Sequence, residues 1–151
     1  MSLDTTDRKI LAALQKNGRM SNAELSEQVN LSPSACHRRV QRLEADGYIR
    51  DYVALLDARK MKVPTTVFVE ITLQGQAEEV LDAFEKAVAR IPDVLECHLM
   101  AGTADYILKV VVTNARAYDT FYQALISEVK VHNVTALLSM EEIKSTTMLP
   151  L

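Results

Sequence analysis

Apolar residues recur at helical spacing in three short segments within the first 45 residues of the chain. The first segment, residues 3–16, places Ile10 and Leu14 on one face, and Asp4 stands at a position that suits an N-cap. A second helix begins after Ser21, which forms an S-x-x-E capping box with Glu24. The pattern therefore predicts two helices before residue 30, each with its own start signal.

A third helix follows after a tight turn. Asn30 suits the turn because asparagine tolerates a left-handed backbone conformation. Ser32 is the expected N-cap and Pro33 suits the first helical position, while Gly47 marks the end of the helix after about Asp46. Two helices joined by so short a turn have the pattern of a helix-turn-helix unit.

The third helix combines a narrow apolar stripe with a basic face rich in hydrogen-bond donors. Cys36, Val40 and Leu43 form the stripe at i, i+4 and i+7. A basic face of this kind suits the major groove of DNA, where arginine and glutamine read base edges while serine and arginine hold phosphates. An ordinary solvated helix pair is the alternative interpretation. The predicted DNA contacts are Ser34, His37, Arg38, Gln41 and Arg42, with Ser32 and Arg39 as phosphate contacts or structural support.

The pattern changes near residue 60 from helical periodicity to alternating strands and helices. Residues 49–56 are predicted to form a strand that adds a wing-like arm, and residues 58–64 form the connection. Beyond it the order is β-α-β-β-α-β, the ferredoxin-like unit with two helices on one face of a four-stranded antiparallel sheet. The fold class is therefore α+β. The predicted strands are Thr65 to Leu73, Val94 to Ala101, Asp105 to Val112 and Val134 to Ile143.

Charge changes at the same place as the hydrophobic pattern. Residues 1–60 contain ten lysines and arginines against eight acidic residues, whereas residues 61–151 contain seven against twelve. We therefore predict a DNA-binding domain over residues 1–60 and a second domain over residues 61–151. The modest asymmetry favours specific binding by paired modules over a protein that coats nucleic acid.

The sheet face that the two helices leave uncovered is predicted to mix apolar and polar side chains. We expect so mixed a face to meet another subunit. A sheet-to-sheet dimer would arrange two DNA-binding helices about a two-fold axis. Period-2 alternation places on this face Phe68, Met100, Ile107, Val111 and Leu137, among Glu70, Glu96, His98, Lys109 and Ser139.

Other classes of function find little support in the sequence. No signal peptide is recognisable and no apolar run is long enough to span a bilayer, so we expect a cytoplasmic protein without a membrane partner. Cys36 and Cys97 lack metal-ligand spacing and are expected to be buried free thiols. The histidines have no nucleophile, phosphate loop or metal spacing around them, so neither an enzyme nor a metal or other cofactor is predicted.

Five long motifs follow one another along the chain: LDTTDRKILAALQKNGR, SNAELS, LSPSACHRRVQRLEADGYI, ECHLMAGTADYILKV and MEEIKSTTMLP. They resemble the motifs of the Lrp/AsnC family of regulators, also called feast/famine or leucine-responsive regulators, over essentially the whole chain. The resemblance implies a winged helix-turn-helix followed by a ferredoxin-like, RAM-type domain that oligomerises and binds an amino-acid effector. It also implies double-stranded DNA as a partner, and homodimers that assemble into tetramers, octamers or larger bodies.

The same resemblance implies where the effector would bind. The family's pocket lies between neighbouring dimers, beside the turn that here begins at Ala101. Asp105 could accept the ammonium group of an amino acid and Gly102 permits close backbone approach, although both are also ordinary turn residues. Apolar side chains in the set favour an effector such as leucine or methionine. The predicted set is Leu99, Met100, Gly102, Thr103, Asp105 and Tyr106 from the hairpin, with Leu137, Leu138 and Ser139 from the last strand.

The sequence thus predicts a sequence-specific DNA-binding regulator of amino-acid-related metabolism, whose DNA binding or assembly responds to a small effector. The alternative is an architectural protein that organises DNA without sensing a ligand. The two functions differ in whether a ligand changes the assembly of the protein or its affinity for DNA. A ligand can do so only if its own affinity differs between two states of the protein.

Overall fold

The structure is a computed structural model that describes residues 2–151, which divide into two units. The chain up to Leu55, together with Lys144–Leu151, makes up the first unit, and Leu56–Ile143 the second. The division therefore differs from the predicted one at residue 60. The last eight residues, assigned by the sequence pattern to the second domain, instead pack with the first unit, where the backbone of Leu149 is hydrogen-bonded to Gln15.

Three helices form the first unit, and each begins at a side-chain cap. Asp4 and Ser21 both take part in capping boxes, with Asp7 and Glu24 respectively, and the Ser32 hydroxyl accepts from the N–H of Ala35. The predicted caps are confirmed. The helices are α1 (Thr5–Lys16), α2 (Asn22–Gln28) and α3 (Pro33–Ala45), around a core of Ile10, Leu11, Ala13, Leu25, Val29, Cys36 and Leu43.

The turns on either side of α3 have the backbone conformation that their residues suggest. Asn30 has a φ of 56° between α2 and α3, and Gly47 has a φ of 77° just after α3. Both values lie in the left-handed region, which asparagine and glycine enter at the lowest cost. The two residues therefore set the start and the end of α3.

The predicted strand over residues 49–56 is wrong. This arm is an extended segment that pairs with no strand within residues 2–151, and its side chains are mostly exposed. A strand needs a neighbour to take up its backbone hydrogen bonds, and the described chain supplies none here. The arm is held to α3 instead, by a 3.2 Å hydrogen bond from the N–H of Ile49 to the carbonyl of Leu43 and a 2.9 Å hydrogen bond from the Tyr52 hydroxyl to Glu44.

The second unit has the predicted β-α-β-β-α-β order. Its four strands lie in the order β2-β3-β1-β4 and every neighbouring pair is antiparallel. The last strand begins and ends earlier than predicted. Its pairing with β1 begins with Val131 opposite Leu73 and ends with Leu138 opposite Val67, near the start of β1. The elements are β1 (Thr65–Leu73), α4 (Glu78–Ala89), β2 (Val94–Leu99), β3 (Tyr106–Val112), α5 (Ala115–Glu128) and β4 (Val131–Leu138).

The core of the second unit lies between the sheet and its two helices. The alternate residues of β1 and β3 are buried there, together with Phe84 of α4 and with Phe121 and Leu125 of α5. Cys36 is buried in the first unit as predicted, and burial raises the pKa of its thiol. Cys97 is exposed, so the prediction of a buried thiol is wrong there. It lies on β2, an edge strand with a neighbour on one side only.

Candidate functional site

One side of α3 presents a row of polar side chains to solvent. The opposite side packs through Cys36 and Leu43, with Val40 partly buried. An exposed row of hydroxyl, imidazole, guanidinium and amide groups offers the donors and acceptors that base edges and phosphates require. The predicted DNA contacts that lie on this exposed side are Ser34, His37, Arg38 and Gln41.

The start of α3 is tied to the start of α2. The Asn22 side chain donates to the carbonyl of Pro33 at 2.8 Å. The Ser32 hydroxyl is engaged as the N-cap at 3.3 Å from the N–H of Ala35, and Ser34 Oγ lies 3.4 Å from Ser32 Oγ. Ser32 therefore has a structural use in this chain. The backbone N–H groups at this end of α3 point in the direction from which a helix binds a phosphate.

Two arginines of α3 hold α1 and α3 together. Arg39 Nη1 lies 2.6 Å from Asp4 Oδ2 and 2.8 Å from Asp7 Oδ1, and Arg42 Nη2 lies 2.6 Å from Asp7 Oδ2. Asp7 is only 1% exposed, so the two guanidinium groups compensate a buried carboxylate. Arg42, predicted to lie on an outward or flanking position, lies on the flank, where its side chain is paired with Asp7 and 38% exposed. Arg39 takes the structural role that the sequence had left open.

The carboxyl group of Asp4 is perturbed by the same network. It accepts a hydrogen bond from the backbone N–H of Asp7 and another from Arg39, and these contacts lower its pKa from 3.8 to about 2. A lowered pKa means that folding favours the charged form. The contribution of Asp4 to stability is therefore fully present above its ordinary pKa and is lost as the pH falls toward the lowered value.

We expect Asp4→Asn to melt at a lower temperature than the unaltered protein near neutral pH, with a difference that shrinks in acid. Asparagine retains an N-cap acceptor but removes the negative charge that Arg39 compensates. The difference should narrow between pH 3.8 and about 2, the interval between the ordinary and the lowered pKa of Asp4. Thermal unfolding across that interval measures it, and a difference of constant size would contradict the assignment.

The predicted effector hairpin joins β2 to β3. The N–H of Met100 donates to the carbonyl of Asp105 at 2.8 Å and closes the turn. Asp105 Oδ2 accepts from the N–H of Leu73 at 2.8 Å, and Oδ1 accepts from the amide of Gln76 at 3.2 Å. The carboxylate therefore fastens the hairpin to the end of β1. Since Asp105 is only partly buried, the same carboxylate also borders solvent.

Tyr106 does not line an open pocket, contrary to the prediction. The residue is 1% exposed, its ring centroid lies 4.5 Å from that of Phe84, and its hydroxyl donates to Glu85 at 2.7 Å. Burial, followed by the hydrogen bond to Glu85, raises the pKa of the phenol. Tyr106 is therefore a core residue beneath α4, placed there by the alternation of β3.

The two groups of predicted effector residues, one on the hairpin and one on β4, lie at different positions along the sheet. Tyr106 pairs with Ile71 near the end of β1, whereas Leu137 pairs with Phe68, about 10 Å back along that strand. Leu138 points to the opposite face from Leu137 because adjacent residues of a strand alternate. One chain therefore does not bring the predicted effector set together.

The remaining predicted effector residues are accessible in a single chain. A Cβ placed on Gly102 would meet nothing within 4 Å, so glycine is not required there by this chain's own packing. Ser139 donates its backbone N–H to the Thr66 carbonyl at 3.0 Å, which places it at the start of β1. The apolar members Leu99, Met100, Leu137 and Leu138 are exposed, as is Thr103.

The uncovered sheet face has the mixed character that alternation predicts. Phe68 is exposed between its cross-strand partners Lys109 and Leu137. Glu96 Oε2 lies 3.3 Å from His98 Nε2, and Glu96 Oε1 lies 3.5 Å from Lys109 Nζ. The hydrogen bond from His98 and, to a smaller extent, the charge of Lys109 lower the pKa of Glu96. The face thus carries a small charged cluster beside exposed apolar side chains.

Two features of these sites could not be found by periodicity. The first is the buried Asp7, whose only sequence signal is its place as the acidic member of a capping box. The second is a cavity of about 520 Å³ in the second unit, near the first turn of α5. Tyr118, Leu138 and Ser139 are among its lining residues, and the register of β4 is what brings the last two there.

Neither a metal site nor a membrane-spanning helix is present among the described residues. Within residues 2–151, no group of three or more histidine, cysteine, aspartate or glutamate side chains is arranged to hold a metal ion. None of the helices in that range is both long and apolar enough to cross a membrane.

Two family profiles match the chain, one over the helices of the first unit and one over the second unit and most of the segment that follows it. The Lrp/AsnC ligand binding domain matches residues 66–149, and a winged helix-turn-helix DNA-binding domain matches residues 3–50. Together they include both candidate sites. The first match alone spans more than half of the chain, so it identifies the family.

Full-length relatives agree with these matches. The leucine-responsive regulatory protein of Escherichia coli K12 is 43% identical over 148 residues, which are 97% of this chain and 90% of the relative. The crystal structure of an AsnC family transcriptional regulator from Agrobacterium tumefaciens is 42% identical with a TM-score of 0.95, covering 98% of this chain and 97% of that one. A transcriptional regulator from Neisseria meningitidis, crystallised as a complex with L-methionine, is 39% identical with a TM-score of 0.94, covering 99% and 97%. The chain therefore belongs to the Lrp/AsnC family of transcriptional regulators, with a helix-turn-helix DNA-binding domain and a ligand-binding domain.

Proposed function

We propose that this protein is a cytoplasmic, sequence-specific regulator of amino-acid-related metabolism, which binds double-stranded DNA through α3 and responds to a free amino acid. The observation that carries the DNA-binding part is the exposed row of donors on α3. Arg38 lies in this row, while the buried Asp7 holds the neighbouring Arg39 and Arg42. A rigidly held helix can present such side chains in one register to base edges.

The proposed effector is an apolar amino acid, with methionine and leucine as the first candidates. Support comes from the L-methionine complex of the Neisseria relative and from the name of the Escherichia coli relative. Leu99, Met100 and Leu137 are exposed apolar side chains that an effector could cover. Because a single chain leaves the hairpin and β4 apart, the proposed pocket is completed by a second copy of the chain in a dimer or larger assembly.

A thermal-shift screen against the twenty amino acids at millimolar concentration tests this function, with light scattering on each hit. A ligand that binds only the folded state must raise the melting temperature. We expect methionine or leucine to raise it and to change the size of the assembly. If no amino acid raises it, the sensing role fails and an architectural DNA protein becomes the better description.

We expect Asp105→Asn to weaken binding of the amino acid by roughly tenfold or more while leaving DNA binding intact. Asparagine can still accept from the N–H of Leu73 and so keep the turn closed, but it lacks the charge that an ammonium group needs. Asp105→Ala would remove both contributions and is therefore the less informative change. Titration calorimetry measures the effect.

The matched control for this prediction is Asp119→Asn, which removes the same charge from an exposed position on α5. Its binding isotherm should equal that of the unaltered protein. An unchanged isotherm for Asp105→Asn would exclude Asp105 from the pocket and leave it with its turn-closing role alone.

A further inference from the structure

The last eight residues of the chain are attached to the first unit through their backbone. The N–H of Leu149 donates to Gln15 Oε1 at 2.6 Å, and Gln15 Nε2 donates to the carbonyl of Leu149 at 3.1 Å. One side-chain amide of α1 thus satisfies both backbone groups of a single residue, as a neighbouring strand would. Such a two-point contact determines which residue of the segment lies against α1.

The docked segment borders a cavity of about 560 Å³ in the first unit. Leu11 and Leu14 of α1 form part of the cavity wall. Tyr48 and residues 49–53 of the arm form another part, and Leu149 and Leu151 complete it. The segment therefore contributes to the same apolar surroundings as α1 and the arm. Loss of the segment would expose this surface of both elements to water.

The arm in turn is attached to α3, the helix proposed to contact DNA and called the recognition helix below. The Tyr52 hydroxyl donates to Glu44 of α3 at 2.9 Å, and a Cβ on Gly18 would come within 3.4 Å of the Tyr52 ring. Burial, and then the contact with Glu44, raises the pKa of Tyr52 to about 12. The segment and the arm thus line one cavity, and the arm in turn contacts α3.

Chain connectivity relates this cavity to the ligand-binding domain. The chain leaves the first unit after Leu55, at the end of the arm, and enters it again at Lys144. The ligand-binding domain is therefore attached at both ends to elements that border the same cavity. The second attachment is held by two hydrogen bonds, and Leu149 remains 69% exposed, which are features of a segment that opens locally at low cost.

We propose that residues 144–151 form a strap through which the ligand-binding domain controls the recognition helix. The docked strap holds the arm against α1 and keeps Tyr52 on Glu44. Release of the strap loosens the arm and α3, and DNA affinity falls. The link to a ligand rests on the proposed function, whereas docking and its effect on DNA affinity do not. A segment that is either docked or released supplies the two states that such coupling requires.

Gln15→Ala and a truncation after Ile143 test the strap, with Gln28→Ala as the matched control. Gln28 is an exposed glutamine at the end of α2, outside the lining of the cavity. Each lost hydrogen bond shifts the equilibrium between the docked and the released segment by about fivefold, so the loss of both in Gln15→Ala should reduce docking by about twenty-fivefold. Hydrogen exchange of residues 48–53 should rise and DNA affinity should fall in both variants, and neither should change in Gln28→Ala.

A third variant separates release of the strap from a general loss of folding. Gln15→Glu keeps an acceptor for the N–H of Leu149 but cannot donate to its carbonyl, so its exchange and affinity should lie between those of the unaltered protein and Gln15→Ala. Unchanged exchange and unchanged DNA affinity in the truncated protein would overturn the proposal. A smaller assembly with unchanged exchange would also overturn it, by assigning the segment to contacts between subunits.

The ligand-dependent part has its own readout. The test uses an amino acid that changes the DNA affinity of the unaltered protein. In Gln15→Ala the DNA affinities measured with and without this amino acid should become nearly equal. The calorimetric isotherm for binding of the amino acid should be the same in Gln15→Ala as in the unaltered protein. A difference between the two DNA affinities that survives in Gln15→Ala would overturn control through the strap. If no amino acid affects the unaltered protein, the proposed sensing function fails, and exchange and DNA affinity still decide whether the strap acts on α3.

Discussion

Asp7→Ala should lower the free energy of unfolding of the first unit by roughly 3 kcal/mol. Removing one partner of a buried ion pair typically costs about 3–5 kcal/mol because the other charge loses its compensation. The lower end applies here because the side chains of Arg39 and Arg42 are 30% and 38% exposed and can be partly solvated. Chemical denaturation followed by circular dichroism measures the change.

The control for Asp7 is Asp46→Ala, at the exposed C-cap of α3. A surface substitution of this kind usually changes stability by no more than about 0.5 kcal/mol. If Asp7→Ala also fell within that range, the buried carboxylate would not hold α1 to α3. The assignment of Arg39 and Arg42 to structure would then be wrong.

Arg38→Ala should weaken binding to a specific DNA site by roughly tenfold to a hundredfold with little loss of stability. A good bidentate contact between an arginine and a base is worth about 1–3 kcal/mol of discrimination. Arg38 is exposed on α3, so truncating it leaves the core stripe of Cys36 and Leu43 intact. Fluorescence anisotropy on a site selected from random duplexes measures the affinity.

Two further arginine variants serve as controls for Arg38→Ala. Arg116→Ala removes an equal charge from the ligand-binding domain and should leave DNA affinity nearly unchanged. Arg42→Ala should instead lower stability, because Arg42 is paired with the buried Asp7. Unaltered affinity in Arg38→Ala would exclude Arg38 from the contact surface.

Local chemistry made the helix boundaries of the first unit predictable. Asp4, Ser21 and Ser32 each act on a backbone group within three residues of themselves, so the sequence pattern contains all the participants. The same holds for Asn30, whose left-handed conformation is a property of its own residue type. The strands are predictable where alternation decides the buried face, as it does from Val67 to Leu73 of β1.

Contacts between residues that are distant in the sequence account for most of the differences between the predictions and the structure. The flank of α3 on which Arg42 lies is set by periodicity, but its partner Asp7 belongs to another helix and leaves no local signal on α3. The last eight residues were misplaced for the same reason, since Gln15 is far from Leu149 in the sequence. The composition of the arm favours a strand, whereas a strand also needs a neighbour.

The effector set shows how far a family resemblance can be carried within one chain. Asp105 has the turn-closing contacts that its residue type suggests, and Tyr106 is buried by the alternation of β3. Leu137 is placed on the outer face by its pairing with Phe68. In the proposed pocket, which a second copy of the chain completes, the residues that meet the ligand depend on the assembly, and that information is not local to any motif.

The most direct test of a ligand-responsive DNA-binding regulator is the affinity of the full-length protein for a selected DNA site, measured with and without methionine or leucine. Coupling between two sites is typically worth about 1–3 kcal/mol, so we expect the amino acid to change the affinity by about fivefold or more. The same protein carrying Arg38→Ala should bind weakly in both conditions. Tight binding to DNA that no amino acid alters would contradict the sensing function and would identify an architectural protein instead.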